Sequence, residues 1–476
     1  MFSSIMNKKK LITLSEKFLF VFFIANILNL INIISISFGK LIIYEDSFSL
    51  LNLNNNPFNY WLFEPHNGHI ISFSKLLTSF FRLLSISPTG FNIFLSIIIL
   101  FSGLFIIRKT IFLINPESQY KNLIFLLSSF FWISPFQWEN LIWEFQIPWF
   151  LIVFFVITLN YINFYNFKNK NLENKLAQNI FLSVSPFLAI LSSGQGICYL
   201  NCILISLLIK KKNNLIPIIC TFLSYLIFLF IKLNYQSNIE ISFNFWNALS
   251  YFFITIFSIF KAPISAFNSF SYESWIIPII SSIIFQLYIF RFITKTFIYK
   301  LELKINQLSL FTPIIFGIQF LILTSITRSQ YGIYQGIVSR YSTCINLIPL
   351  GLIILFHFSN NKELFINQTS KSVSFSKNYF HLSLISLFCL IINTSAIFKT
   401  ISETETALNT RISNFNIFKE TCSENIKSNI NLIKSNYSKL RTFPGANFPP
   451  LPDANNFSNF QKYLDSNICE ATNKLK

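Results

Sequence analysis

The sequence predicts an all-α polytopic membrane protein, and three observations carry that class. Phe, Ile and Leu dominate a chain of 476 residues of which only 12% are charged. Apolar runs recur from Phe18 almost to Ile397, more than one water-soluble core absorbs. Several of them meet or approach the ~20 residues that cross a hydrocarbon layer of roughly 30 Å. The net charge of +18 is distributed as short basic clusters between these runs and not along one amphipathic face, so it reports topology and not a nucleic-acid partner. The abundance of Asn, Lys, Ile and Phe reads as an AT-rich genome, which inflates Asn-x-Ser/Thr matches such as that at Asn436.

The first run, Phe18 to Ile43, follows Lys8, Lys9 and Lys10 like a signal peptide, yet it is long and has no small-residue cleavage site, so it reads as a retained anchor. Lys/Arg in short loops marks the cytoplasmic side. That rule places the start, Arg108/Lys109, Lys168 to Lys175, Lys210 to Lys212, Arg291 to Lys304 and Lys362 to Lys377 inside. Parity then gives eleven crossings: 18–43, 90–107, 122–136, 148–166, 178–193, 196–210, 214–232, 275–295, 309–327, 341–358 and 379–398. The chain between Lys175 and Lys210 is short for two full crossings, so the turn around SSGQG (192–196) is expected at membrane depth, buried in protein or lining a wet cavity. Leu233 is outside and Arg291 inside, which makes 244–260 an interfacial or re-entrant helix. Residues 70–86, an apolar stripe interrupted by Lys75 and Arg82, are expected to lie on the outer membrane surface.

Two units follow: a transmembrane region, 1–399, with a first outer loop at 44–89, and a small polar tail, 400–476, on the outer side. Of seven cysteines, Cys198, Cys202, Cys220, Cys344 and Cys389 lie in or beside apolar runs and read as small hydrophobes. Cys422 and Cys469 in the tail are placed where an oxidising compartment could pair them.

Topology leaves three polar stretches unexplained, all in outer loops. The first holds Glu45, Asp46, Glu64, His66 and His69; the second is FQWENLIWEFQIP (136–148); the third is TRSQYGIYQGIVSRY (327–341). Trp138, Trp143 and Trp149 suit an aromatic belt at the headgroup level, but a belt does not require Glu139 and Glu144. Arg328 and Arg340 run against the charge rule and call for a stabilising partner. His66-x-x-His69 with Asp46 or Glu64 supplies N and O donors of the kind zinc takes, though not at the helical His-Glu-x-x-His spacing, and no metal or other cofactor is assigned to it. No Gly-rich phosphate loop or nucleophile elbow supports nucleotide-driven or acyl-transfer chemistry.

YEDSFSLL (44–51) just after the first span, followed by the 70–86 helix, resembles the GT-C class of integral membrane glycosyltransferases, and the resemblance covers the chain to about residue 398. It is also similar to bacterial multispan proteins that combine a first-loop His-Asn-x-His, a second-loop Trp-Glu-Asn, a glycine-bearing turn and a later Ser-Arg-Tyr. Here these are His66 to His69, Trp138 to Asn140, Ser193 to Gly196 and Ser339 to Tyr341. In that group the first loop reads His-Asn-Glu-His-Arg, from which Gly68 and Ile70 depart. The resemblance implies a polyprenyl-phosphate sugar as donor, an envelope acceptor (glycan, lipid or protein) and a place in the bacterial plasma membrane with a cytoplasmic N-terminus and an extracytoplasmic C-terminus.

Transfer from a lipid phosphate needs a base for the acceptor hydroxyl and cations for the leaving phosphate. Asp46 or Glu45 suits the base, Arg340 and Arg328 the phosphate, Trp138, Trp143 and Tyr341 the sugar faces, and His66 and His69 the orientation of donor or acceptor; Glu139 and Asn140 complete the substrate-binding set. A transporter or flippase would instead place ionisable residues near the bilayer midplane and show internal repeats. A noncatalytic envelope scaffold would make the tail the functional part.

The parity argument is checked by Ser458→Cys in a chain whose Cys422 and Cys469 are replaced. An impermeant thiol reagent should label it in intact cells or spheroplasts, and labelling only after permeabilisation overturns the assignment of the tail.

Overall fold

In hydrocarbon a backbone N–H or C=O has no water to bond, so an apolar chain satisfies these groups within each segment by forming helices. The computed structural model of the protein describes residues 8–37, 57–64, 70–83, 88–141, 146–168, 175–209, 215–235, 243–256, 259, 273–300, 305–331, 341–360, 375–394 and single positions between 398 and 413. Among these there are helices, short 3-10 turns and no strand. In order they are α1 (Lys8–Ser37), α2 (Phe58–Phe63), α3 (Ser72–Leu83), α4 (Pro88–Ile114), α5 (Lys121–Trp132), α6 (Trp138–Leu141), α7 (Ile147–Lys168) and α8 (Lys175–Ser192). They continue as α9 (Gly196–Ile209), α10 (Leu215–Asn234), α11 (Phe245–Ile256), α12 (Glu273–Lys300), α13 (Thr312–Arg328), α14 (Ser342–Ile345), α15 (Leu347–Ser359) and α16 (Phe375–Ile392). Pro88, Pro148, Pro217, Pro313 and Pro349 each stand in a first turn, where the missing N–H interrupts no intrahelical bond.

A helix stands at every one of the eleven segments expected to cross. Six stretches are long and apolar enough to do so: Lys10–Ser37, Gly90–Ile114, Ile147–Lys168, Leu215–Asn234, Leu308–Arg328 and Ser342–Ser359. In the others the apolar stretch is shorter, as in Ile279–Arg291 of α12 and Asn378–Ile391 of α16; α5, with 12 residues, rises about 18 Å. α1 begins well before the expected 18 and its described part ends at Ser37. The tail from residue 414 on, with Cys422 and Cys469, lies outside the described residues.

α15 is the centre of the bundle. Each of its residues is buried, and it packs against α12, α13, α5 and α4, as a helix apolar on all sides should. Around it α4 lies along α7, α1 touches α4, α5 and α16, and α8, α9 and α10 form a group of their own. Two glycines let α13 and α15 approach: a Cβ on Gly317 would stand 2.5 Å from Ile348 Cγ1, and one on Gly351 2.8 Å from Ile314 Cγ1. α10 is the opposite case, its apolar surface exposed except for a stripe through Pro217, Thr221, Ser224 and Ile231, as for a helix facing lipid.

The 192–196 turn is buried in protein. Ser192 and Ser193 are buried, Gly196 N–H donates to Ser193 O at 2.8 Å, and the Ser193 hydroxyl donates to the Gln195 side-chain carbonyl. A Cβ on Gly196 would meet Ala189 O at 2.3 Å, so only glycine lets α9 start so close to α8. α11, in the expected interfacial segment, buries Ala248, Tyr251 and Thr255 while exposing Phe245, Trp246 and Phe253. Its 12 described residues rise about 18 Å.

The loops divide between two ends of the bundle. At the end expected to be cytoplasmic, Asn163 of α7 donates to Ser206 Oγ of α9, to Ser309 O at 2.8 Å and to Thr312 Oγ1 of α13, while Tyr120 stacks on Tyr379 of α16 at 4.2 Å. The opposite end gathers α2, α3, α6, α11 and α14, where the site is described below.

Trp132, the last residue of α5, donates its indole N–H to Leu100 O of α4 at 2.7 Å, and its ring occupies the space above Gly103. A Cβ there would stand 2.1 Å from the ring. Gly103→Ala should therefore lower the melting temperature in detergent by the equivalent of about 1–3 kcal/mol, the usual effect of overpacking. Gly194→Ala, whose Cβ would meet nothing, serves as the control and should leave melting nearly unchanged.

Candidate functional site

The loop after α1, expected to be outer, is built on a clamp between α2 and α3. α2 presents its last carbonyls toward α3, where Ser72 Oγ donates to Leu62 O at 2.9 Å. The Lys75 ammonium donates to Trp61 O and to Glu64 O, the latter at 3.0 Å, and lies 5.5 Å from the Trp61 ring centroid. A cation suits the carbonyl end of a helix and the face of an indole. Lys75 was expected to interrupt a surface stripe; it is 2% exposed instead, because α2 offers carbonyls that a membrane surface does not. α2 also docks on the end of α10, with Tyr235 5.7 Å from Tyr60 and 6.1 Å from Phe63. Between the clamp's two halves run residues 65–69.

α3 is amphipathic in the reverse sense to a helix on a soluble core. Its buried side carries Ser72, Ser74, Lys75 and Thr78, whereas Leu76 and Phe80 are exposed, Phe80 by 54%. A helix with polar residues toward protein and apolar ones outward fits a position against lipid with hydrogen-bonding chemistry beneath it. It packs on α4, α7 and α8.

The second polar stretch is tied to the start of α14, just after the third. Asn140, on α6, donates its amide to Thr343 Oγ1 of α14 at 2.7 Å, and that hydroxyl donates to Gln137 Oε1 at 3.0 Å. Gln137 Nε2 in turn donates to Trp132 O at 2.9 Å, which ties the pair to the end of α5. Two of these groups, Gln137 and Thr343, were not foreseen. An amide three residues before Asn140 and a hydroxyl two residues after Tyr341 are the signals that could have found them.

Tyr341, expected to offer a face to a sugar, is 5% exposed. Its ring lies 6.0 Å from Trp149 and 6.4 Å from both Phe320 and Tyr251, so protein rings from α7, α13 and α11 occupy its surroundings. Trp149 belongs to the same cluster, T-shaped against Phe320 at 5.5 Å, and is buried instead of forming part of a headgroup belt. α11 packs along α13 and brings Tyr251 against Tyr341, while Phe320 and Tyr341 lie against Trp149. Arg328 ends α13, half-buried, ahead of a 3-10 turn at Ser329–Tyr331 that packs on α11.

The backbone of Trp138 and Glu139 lies on α6, next to α4 and to the Pro135–Gln137 turn; their side chains are not described. Glu45, Asp46, His66, His69, Trp143, Glu144 and Arg340 lie outside the described residues, as does Arg82 beyond its helical backbone. Among the described residues no three His, Cys, Asp or Glu side chains stand together as a metal-ligand group.

Burial pushes the Lys75 ammonium down from its usual 10.5 to about 8, while the nearby Glu64 carboxylate pulls in the opposite direction. A folded-state value below the unfolded one means that the charged form opposes folding below about pH 8, and that this cost fades as pH rises from about 8 to 10.5. Thermal unfolding in detergent should show the melting temperature gaining over that window in the wild type and gaining less in Lys75→Met. Equal slopes would mean that the amine is solvated.

Compared with protein-family models, with curated proteins and with solved structures, the chain matches none.

Proposed function

We propose that the protein is a membrane glycosyltransferase that moves a sugar from a polyprenyl-phosphate donor to an envelope acceptor on the outer face of a bacterial plasma membrane. The observation that carries this reading is the reverse amphipathicity of α3: a helix that exposes Leu76 and Phe80 while turning Ser72, Ser74, Lys75 and Thr78 inward. Such a helix separates lipid from a polar interior, the condition for joining a lipid-borne donor to a polar acceptor. The tie of the second polar stretch to the start of α14, through Asn140, Thr343 and Gln137, supports it further, since α14 begins next to the third stretch in the chain.

In this reading the chain crosses eleven times with its N-terminus inside, in a GT-C-like arrangement. Asp46 takes the proton from the acceptor hydroxyl, whose oxygen attacks the anomeric carbon as the bond from that carbon to the phosphate oxygen breaks. The polyprenyl phosphate leaves with the electron pair, and Arg340, assisted by Arg328, holds its charge through a planar fork that lysine lacks. Attack opposite the leaving group inverts the anomeric centre. His66 and His69 orient donor or acceptor from the segment spanned by the Lys75 clamp, with Trp138, Glu139 and Trp143 contacting the sugar. Tyr341 and Asn140 hold the third stretch in place instead of touching substrate.

Membranes containing the protein, supplied with radiolabelled polyprenyl-phosphate sugars, should transfer label to an envelope acceptor, and membranes lacking it should not. Asp46→Asn keeps shape and most hydrogen bonding but removes the base, so transfer should fall at least ~100-fold with insertion unchanged. Glu45→Gln should be milder. Wild-type turnover in Asp46→Asn with loss in Glu45→Gln or Glu139→Gln would reassign the base; indifference to all three would end the glycosyltransferase reading.

A further inference from the structure

Asn201 of α9, Tyr225 of α10 and Gln319 of α13 are joined through their side chains. The tyrosine hydroxyl donates to Asn201 Oδ1, and Asn201 Nδ2 donates to Gln319 Oε1 at 3.2 Å. All three residues are partly exposed. Gln319 nevertheless stands near the middle of Leu308–Arg328, and Tyr225 near the middle of Leu215–Asn234, two of the stretches long and apolar enough to cross. The triad therefore opens sideways at mid-depth, onto the surface that lipid would cover. There Gln319 Nε2 has no partner among the described residues, and acyl chains offer it no acceptor.

The rest of this face is a seam. Ile315, Gln319, Ile322 and Ile326 follow one another along α13 at spacings of four, three and four, all at least partly exposed. Ile322 is 48% and Ile326 40% exposed, and Ile318 beside them is 38% exposed. That repeat is the one by which two helices interlock their side chains, and a single polar residue in such a seam fixes the register and the number of helices. Arg328, the charged residue of α13, is nine positions from Gln319 and so half a turn away round the helix, clear of the seam.

We propose that this face of α13 joins two copies of the chain. Two chains inserted the same way are related by a two-fold axis along the membrane normal, which sets their α13 helices parallel and brings Gln319 opposite Gln319 at one depth. The free N–H of each amide then donates to the Oε1 of the other, whose second lone pair the bond from Asn201 leaves open. The pair is complementary in charge in both directions, because each side chain carries the positive N–H and the negative oxygen that the other needs. A helix of a different protein would have to supply an acceptor at the same depth; a second copy does so by symmetry. Hydrogen bonds of this kind are among the few forces that select one neighbour over another in lipid. The inference requires only that α13 crosses the membrane and stands apart from the glycosyltransferase reading.

The test uses the full chain with Cys422 and Cys469 replaced, first in its own membranes. Under copper phenanthroline, Ile322→Cys should yield a disulfide-linked pair of the chain, and Leu28→Cys, on the exposed side of α1, should not. Copies carrying donor and acceptor fluorophores at the N-terminus are then diluted with lipid in liposomes. Energy transfer in Gln319→Leu should disappear at a lipid-to-protein ratio at least tenfold lower than in the unsubstituted chain, whereas Gln319→Asn, which keeps the amide, should recover most of the difference. The cross-link is read in a chain that retains Gln319, so a Gln319→Leu chain that fails to fold does not obscure it. Equal cross-linking of Ile322→Cys and Leu28→Cys, a chain monomeric at every dilution, capture of another protein instead of a second copy at Ile322→Cys, or a pair of unchanged strength in folded Gln319→Leu would each overturn the proposal.

Discussion

The structure depends on one constraint: in hydrocarbon, each polar group must find its partner within the protein. Backbone groups do so by forming helices, and side chains follow by bonding back along the same helix, as Ser96, Thr158, Thr221 and Thr324 do to the carbonyl four residues earlier. Where the chain leaves the helix at depth, as after Ser192, the turn is closed by its own serine and glutamine. Bonds between helices are then few and well placed. Trp132 to Leu100 and Asn163 to Thr312 join elements whose apolar surfaces alone give little preference for one neighbour over another in lipid.

At the end with Asn163 and Tyr379, Asn163 Nδ2 donates to Ser309 O and His357 Nδ1 shares a hydrogen bond with the Tyr379 hydroxyl, while Asn163 Oδ1 and His357 Nε2 have no protein partner among the described residues. At the end with α3, Ser74 Oγ and Thr78 Oγ1 likewise have none, and there the helix turns its apolar side outward. That reversal, and not the number of unpartnered groups, is why the functional reading is placed at the α3 end.

Lys75 shows how the loop and the membrane helices are joined. Its ammonium holds the carbonyl end of α2, α2 rests on Tyr235 at the end of α10, and α3 reaches α4, α7 and α8. The residues flanking 65–69 on both sides are therefore anchored. The second loop is anchored differently, through Gln137 to the carbonyl of Trp132 and through Thr343 to α14. Two separate polar devices thus converge on one end of the bundle.

By itself the sequence determined the class and the helical nature of each apolar run, because hydropathy and basic clusters are read directly from composition along the chain. The parity of the flanking basic clusters also set residues 244–260 apart from the crossing helices. The tertiary structure alone decided which way polar residues face. Lys75 reads as a surface charge until α2 supplies carbonyls from residues 61 and 64, and Tyr341 as an open ring until α11 brings Tyr251 against it. Gln137 and Thr343 are unremarkable in the sequence and meet only because the turn after α5 packs against the start of α14. The physical reason is that burial in a membrane bundle is a property of neighbours: a lone helix shows which side is polar, and only its packing shows whether that side meets protein, lipid or water.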